Sequence, residues 1–302
     1  MKKLFSLLVV VVLAWGAVRA AETPCNSANV SSKNLKVLMI GNSFSICCLK
    51  EMPQVAQSMG LGLDLCSLYI GGCSMKRHCE NIEKAGDETF KPYQVGRSVN
   101  GKRLPDTKGN IPQMLKADKW DVVTIQQCSH ESWIPTSYHP WGENLVKTIR
   151  ELAPQAKIVV QETWSYTPWD KRLAKWQLDQ NQMYDKLHAA YAAFAQPYSF
   201  EIIPMGTAVQ QWRQKLPVKY GAKSFGGDVC GSAKFIAKKE GKFAPKGDVF
   251  HLNPDGHYLQ ALVWVASLYR VDTTKCPYAP KRLQGRKAEL MKEIARDLGC
   301  RK

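Results

Sequence analysis

Four short segments of this 302-residue chain carry side chains that can cooperate in one reaction. They are Gly41-Asn42-Ser43-Phe44-Ser45, Gly71-Gly72-Cys73-Ser74, Gln126-Gln127-Cys128-Ser129 and, far downstream, Asp248-Val249-Phe250-His251, followed by Asn253 and Gly256-His257. Acyl transfer needs a nucleophile, a base, a group that orients the base and donors for an oxyanion. Ser43 can supply the hydroxyl, His251 can take its proton, and Asp248, one turn earlier, can fix the imidazole tautomer. The N–H of a Ser where a strand turns into a helix belongs to a helix N-terminus and can face an anion. Gly72 (or Gly71) lets a second N–H approach closely with no side chain in the way. Gln126 or Gln127 can offer a third donor.

Each part has a plainer reading. Ser43 can be a helix N-cap, Gly71-Gly72 turn punctuation, the Gln pair a partner for loop backbone, and Asp248 a turn residue. The four together, in this order, favour the chemical reading. Around them, Asn42, His78, Glu162 and Trp164 are candidate substrate contacts. Trp133, Tyr166 and Trp169, with Trp164, sit where they can stack on sugar rings, although packing is the commoner use of Trp. His139, His188 and His257 read as structural. There is no Cys-x-x-Cys and no His pair at ligand spacing, so no metal and no cofactor is expected. Cysteine catalysis is disfavoured because no Cys holds the Ser43 position.

The elements that must position these residues are short β-rich runs alternating with helices, the pattern of parallel βαβ units. Strands are expected at 36–41, 63–70, 121–126, 157–161 and 200–204, each near-continuously apolar, as in a sheet covered on both faces. In such a sheet ligands sit at the C-terminal strand ends, where three of the four segments lie. Helices are expected over 45–59, 143–152, 170–195 and 255–269. Two insertions interrupt the alternation. Residues 84–110 contain Asn100-Gly101, a hairpin signal, and the Gly- and Lys-rich stretch 216–247 reads as a surface loop. One α/β domain over 21–302 accounts for this.

Composition is ordinary for a globular chain, at 45% hydrophobic and 23% charged, which excludes wholesale disorder and fibrous classes. Met1-Lys2-Lys3, an apolar run from Leu4 to Val18 and small residues around Ala20 have the layout of a secretory signal peptide over 1–20. The run is short for a membrane span, and no later stretch suits one. The expectation is a secreted or periplasmic protein. Cleavage would remove Lys2, Lys3 and Arg19 and lower the formal charge from +16 to +13. The basic residues are scattered and no nucleic-acid recognition motif is present, so the charge is read as solubility and attraction to acidic polymers, not as nucleic-acid binding. Ten cysteines in an exported chain suggest disulfides. At least one is expected among Cys47, Cys48, Cys66, Cys73 and Cys79, and another between Cys276 and Cys300.

Gly41-Asn42-Ser43-Phe44-Ser45 resembles the first block of the SGNH (GDSL-type) hydrolases, with Asn in place of the usual Asp. Asp248-x-x-His251 with Asn253 and Gly256-His257 resembles their last block. Gly71-Gly72-Cys73-Ser74 is similar to a segment of their carbohydrate O-acetyl esterases. The resemblance implies a flavodoxin-like three-layer α/β/α sandwich around a five-stranded, mostly parallel sheet. It also implies a Ser43-His251-Asp248 triad, with an oxyanion hole from the Ser43 N–H, Gly72 (or Gly71) and a third donor. The usual Gly-x-Asn-Asp block is replaced by Gln126-Gln127-Cys128-Ser129. The expected function is hydrolysis of a small-molecule or glycan ester, acetyl foremost. The alternative is a carbohydrate-binding protein without catalysis on the same fold, and a metal-dependent enzyme is a third reading.

Overall fold

The computed structural model describes residues 34–300 apart from 217, 222 and 284. The signal-peptide layout of residues 1–20, and Cys25, lie outside the described residues.

Strand β1 (Asn34–Gly41) is the centre of the sheet and pairs in parallel with β2 (Gly62–Tyr69). The helix between them, α1 (Cys48–Ser58), makes the first crossover. Beyond β2 come α2 (Met75–Glu83) and a three-strand antiparallel extension: β3 (Tyr93–Val99), β4 (Lys102–Arg103) and β5 (Thr107–Gly109). The chain then returns through α3 (Ile111–Lys116) to β6 (Val122–Ile125), which pairs with the other side of β1. Helix α4 (Trp141–Leu152) leads to β7 (Lys157–Gln161). Helices α5 (Lys171–Lys175) and α6 (Gln180–Ala195) lead to β8 (Glu201–Ile203). The parallel strands therefore run β2-β1-β6-β7-β8, a doubly wound order that puts the switch point between β1 and β6.

The apolar runs become strands because both faces are covered: every residue of β6 and all but the first of β7 are buried. Helices α2, α3 and α4 touch one another in one layer. In the other, α1 packs on α8 (Pro254–Tyr269), and α8 packs on α9 (Arg286–Gly299). Helix α7 (Met205–Lys215) borders α6 as well as α8 and α9. Sandwiched in this way, α8 is buried almost all round, which is why its sequence shows little amphipathic contrast. No helix among the described residues is long and apolar enough to cross a membrane.

Several expectations need correction. The sheet has eight strands, because the 84–110 insertion adds to it instead of looping out. Its hairpin turns at Asn100-Gly101, both with positive φ (46° and 84°), the geometry Asn-Gly is suited to. The helix expected over 170–195 is two helices. Leu178 N–H closes α5 back onto the Leu173 carbonyl (2.9 Å), Gln177 turns left-handed, and Asp179 restarts the chain with a capping box to Gln182. Residues 216–247 contain a small antiparallel pair, β9 (Lys234–Ala237) and β10 (Phe243–Lys246).

The cysteines differ most. Cys47, Cys48, Cys66, Cys73, Cys79, Cys128, Cys230 and Cys276 are buried free thiols. No bridge joins the first five, and Cys276 is not paired with Cys300. The sulfurs point into different parts of the interior: Cys47 to the Gln260 side chain (2.7 Å), Cys73 to the His78 ring (3.5 Å), Cys79 to the Trp141 carbonyl (3.2 Å). Cys47, Cys66 and Cys73 serve as small apolar residues, and burial pushes their thiols up to about 12.

Candidate active site

The loop after β1 is held from several directions. Asn42 is buried; its carboxamide oxygen accepts from the Phe44 N–H (3.0 Å) and from Gln126 Nε2 (2.8 Å), and its Nδ2 donates to the Cys73 carbonyl (3.0 Å). One side chain thus ties together the loops after β1, β2 and β6. Phe44 is buried and stacked on Trp164 with ring centroids 4.1 Å apart. Its carbonyl accepts from Gln161 at the end of β7 (2.9 Å) and from Gln260 on α8 (2.8 Å). The result is a rigid turn with Ser43 at its exposed side.

The segment before α8 is built as carefully. Asp248 Oδ1 accepts from the N–H groups of Phe250 and His251, each at 3.0 Å, which curls the chain back on itself. The Ser232 and Ala233 N–H groups donate to the Asp248 carbonyl, and Gly231 N–H donates to the His251 carbonyl (2.8 Å). Asn253 caps α8 by accepting from Gly256 N–H (3.1 Å), and its Nδ2 donates to the Asp228 carbonyl (2.8 Å). From the β7 side, Thr167 Oγ1 donates to the Val249 carbonyl (2.6 Å) and Trp164 Nε1 to the Phe250 carbonyl (2.9 Å).

These two loops bring Ser43, His251 and Asp248 together across 208 residues of sequence. Ser43 Oγ is 2.8 Å from His251 Nε2, and His251 Nδ1 is 3.0 Å from Asp248 Oδ2. Burial works against ionising Asp248, but the His251 ring and the two backbone N–H groups outweigh it and hold the carboxyl at about 2. Ser43 and His251 line a cleft of about 430 Å³ together with Lys50, Ser232, Asn253 and His257.

Among the described residues, neither the Ser43 N–H nor the Gly72 N–H is engaged in a hydrogen bond. Gly72 adopts φ +61° at the exposed end of the β2 loop, a conformation that suits Gly, and Gly71 beside it is also exposed. The Gln pair divides its work. Gln127 is fully committed: its oxygen accepts from Met75 and Cys128 N–H, and its amide donates to the Ser137 carbonyl and hydroxyl. It has no donor left for an oxyanion. Gln126 donates to Asn42 and so positions the Ser43 loop.

None of the four expected substrate contacts lines the cleft. Trp164 is fully buried beneath Phe44 and steadies the His251 loop. Glu162 is buried at the start of α7, where its carboxylate accepts from Thr207 N–H (2.7 Å) and pairs with His188 (2.6 Å), a good place for an anion. His78 is buried on α2, with Nδ1 2.8 Å from the Tyr93 hydroxyl. Asn42, expected to touch substrate, is instead the knot between loops. Tyr166 is buried, whereas Trp133 and Trp169 remain partly exposed. The sequence reading also missed Gln161, Thr167, Asp228 and Gln260. A polar residue closing an otherwise apolar strand, as in Val159-Val160-Gln161, is the signal that could have exposed the first of them.

Burial pushes the His78 imidazole down to about 3 and His257 down to about 4. Both stay neutral in the folded chain while an unfolded histidine charges below about 6.5. Stability should therefore fall on acidification from pH 6.5 to 5, by up to about 1.4 kcal/mol per pH unit for His78 and less for the partly exposed His257. His188, which its hydrogen bond to Glu162 raises, acts oppositely and only above pH 6.5. Urea unfolding across this window should show the slope, and His78→Gln should flatten it. A flat wild-type profile would refute the assignment.

The five-strand parallel run with helices on both faces, Ser43 after the first strand and Asp248-x-x-His251 before a late helix match the arrangement that the resemblance to the SGNH hydrolases implied. Solved structures similar to this chain include the acetyl xylan esterase AlAXEase, at 14% identity and TM-score 0.45 over 78% of this chain and 100% of that one. They also include a member of the lipolytic G-D-S-L family from Veillonella parvula DSM 2008, at 13% identity and TM-score 0.45 over the same shares. More particularly, the chain belongs to the family described as "Domain of unknown function (DUF4886)", whose model matches residues 36–225. A DUF4886 family protein from Bacteroides uniformis ATCC 8492 is 26% identical, with TM-score 0.73, over 88% of this chain and 94% of that one. No curated protein matches the chain in sequence.

Proposed function

We propose that this protein is an exported serine esterase that removes small O-acyl groups, acetyl foremost, from carbohydrate. The observation that carries the reading is the hydrogen-bonded relay Asp248–His251–Ser43, at 3.0 and 2.8 Å, opening onto a cleft. Ser43 Oγ attacks the ester carbonyl as its proton passes to His251 Nε2, and Asp248 stabilises the resulting imidazolium. The tetrahedral oxyanion is met by the free N–H groups of Ser43 and Gly72. His251 then returns the proton to the leaving sugar hydroxyl. Water, deprotonated by His251, releases the acid from Ser43. The relay requires no metal ion or cofactor.

Export is supported by the basic start and apolar run of residues 1–18. The excess of Lys and Arg suits an acidic glycan. Release of acetate from a panel of acetylated polysaccharides and sialic-acid esters tests the substrate class. Acetate release from at least one is expected. Turnover of longer acyl esters, with none of these, would overturn it. The second reading, a carbohydrate-binding protein without catalysis, is favoured by one observation: Gln127 has no amide N–H left to serve as a third oxyanion donor. Tight glycan binding with no covalent capture of Ser43 by a fluorophosphonate would decide for it.

A further inference from the structure

We propose that Cys128, His130 and Glu131, in the loop after β6, form a binding site for a divalent transition-metal ion of zinc type. The turn itself brings the ligands together. Glu131 and Ser132 N–H both donate to the Cys128 carbonyl (3.0 and 2.9 Å), so the chain folds back within four residues. Cys128 Sγ and His130 Nε2 end 3.5 Å apart, His130 Nε2 and Glu131 Oε1 3.7 Å apart, and all three ligand atoms lie within 4.8 Å of one another.

Those separations match what a tetrahedral ion imposes. With metal–sulfur and metal–nitrogen or –oxygen bonds of about 2.3 and 2.1 Å, the sulfur–nitrogen edge is about 3.6 Å and the nitrogen–oxygen edge about 3.4 Å. Small adjustments of two half-exposed side chains close the site. Cys128 is fully buried while the His130 and Glu131 side chains are 43% and 35% exposed, so an ion enters from solvent and keeps a fourth position for water. A thiolate with an imidazole and one carboxylate selects zinc, cobalt or cadmium over magnesium and calcium.

The surroundings hold the ligand backbone. Trp133 Nε1 donates to the His130 carbonyl (3.1 Å), and Ser137 Oγ donates to the Glu131 carbonyl (2.9 Å). The site also adjoins the proposed catalytic cleft, since His130 Cε1 lies 4.0 Å from where a side chain on Gly72 would begin. A bound ion ties the loop together at three side chains and fixes the ring that borders Gly72. Uptake breaks the Cys128 S–H bond, forms the sulfur–metal bond and releases one proton per ion, with no change of oxidation state.

The site stands whether or not the protein is an esterase, and its test does not read ester hydrolysis. The full-length protein is stripped with chelator and titrated with zinc against a chromophoric competitor, with circular dichroism confirming the fold of each variant. Wild type should bind one ion per chain, and cobalt should give a thiolate-to-metal charge-transfer band. Cys128→Ser should lose that band. Loss of one outer-shell partner already costs 10- to 100-fold, so His130→Ala should weaken zinc by about a hundredfold or more. Retention of full affinity in folded His130→Ala, a cobalt band surviving Cys128→Ser, or absence of stoichiometric uptake by wild type would each overturn the site.

Discussion

Ser43→Ala should lower kcat for p-nitrophenyl acetate by on the order of 10⁵- to 10⁶-fold, because it removes the hydroxyl that His251 Nε2 holds at 2.8 Å. Asp248→Asn should keep the geometry but stabilise the wrong imidazole tautomer, for a loss of about 10⁴-fold. Since the three residues act as one relay, Ser43→Ala combined with His251→Ala should be no slower than Ser43→Ala alone. The carboxyl of Asp248 is held at about 2, so it is ionised throughout the working range. The acid limb of the rate profile should therefore not contain it above pH 4. A Ser43→Ala protein within tenfold of wild type, purified free of contaminating esterase, would remove the triad from consideration.

The largest stability effect is expected at a place with no chemistry of its own. Arg213 on α7 and Asp228 are both buried; the guanidinium donates to the carboxylate through Nε (3.1 Å) and Nη2 (3.0 Å), and through Nη1 to the Ser165 hydroxyl (2.8 Å). Tyr220 adds a further hydrogen bond to Asp228 (2.5 Å). Asp228→Ala leaves a buried cation unpaired and should cost about 3–5 kcal/mol. It should also loosen the His251 loop, since the Asp228 carbonyl anchors Asn253 and the Asp228 carboxylate accepts from Cys230 N–H (3.3 Å). Replacing both partners, Arg213→Met with Asp228→Leu, should recover much of the stability. Urea midpoints at neutral pH read this directly; a loss below about 1 kcal/mol for Asp228→Ala would show that water reaches the pair.

What the sequence made legible has a common physical origin. The five parallel strands announce themselves because a strand buried on both faces must be apolar throughout, and reactive polar residues at their ends then stand out. Ser43 stands out in this way after β1, whereas Asp248-x-x-His251, which follows no parallel strand, stands out by its spacing just ahead of α8. Direction at a strand end is another matter. Glu162 and Trp164 leave β7 at the same edge as the site, yet α7 and Phe44 draw them inward, and nothing in Glu162-Thr163-Trp164 encodes the neighbour that does so. Arg213 and Asp228 were invisible for the same reason: a buried ion pair is specified by packing between α7 and a loop. The break between α5 and α6 was legible and missed, because Asp179-Gln180-Asn181-Gln182 is a capping-box signature inside a run that otherwise keeps helical spacing. Compartment logic counts cysteines without asking where each sulfur points: Cys300 is disulfide-bonded, but the bridges expected among Cys47, Cys48, Cys66, Cys73 and Cys79 and between Cys276 and Cys300 do not form.

The Phe44 carbonyl, held by Gln161 and Gln260, has a consequence for the order in which the molecule is made. Its two donors lie 117 and 216 residues further along the chain, and the base for Ser43 lies 208 residues away. No emerging N-terminal half can shape the nucleophile turn by local contacts alone, and such long-range closure is slow compared with helix formation. The serine acquires its setting only when α8 docks against α1. On the proposed esterase reading, reactivity therefore arrives with long-range closure of the fold and not with the nucleophile turn itself.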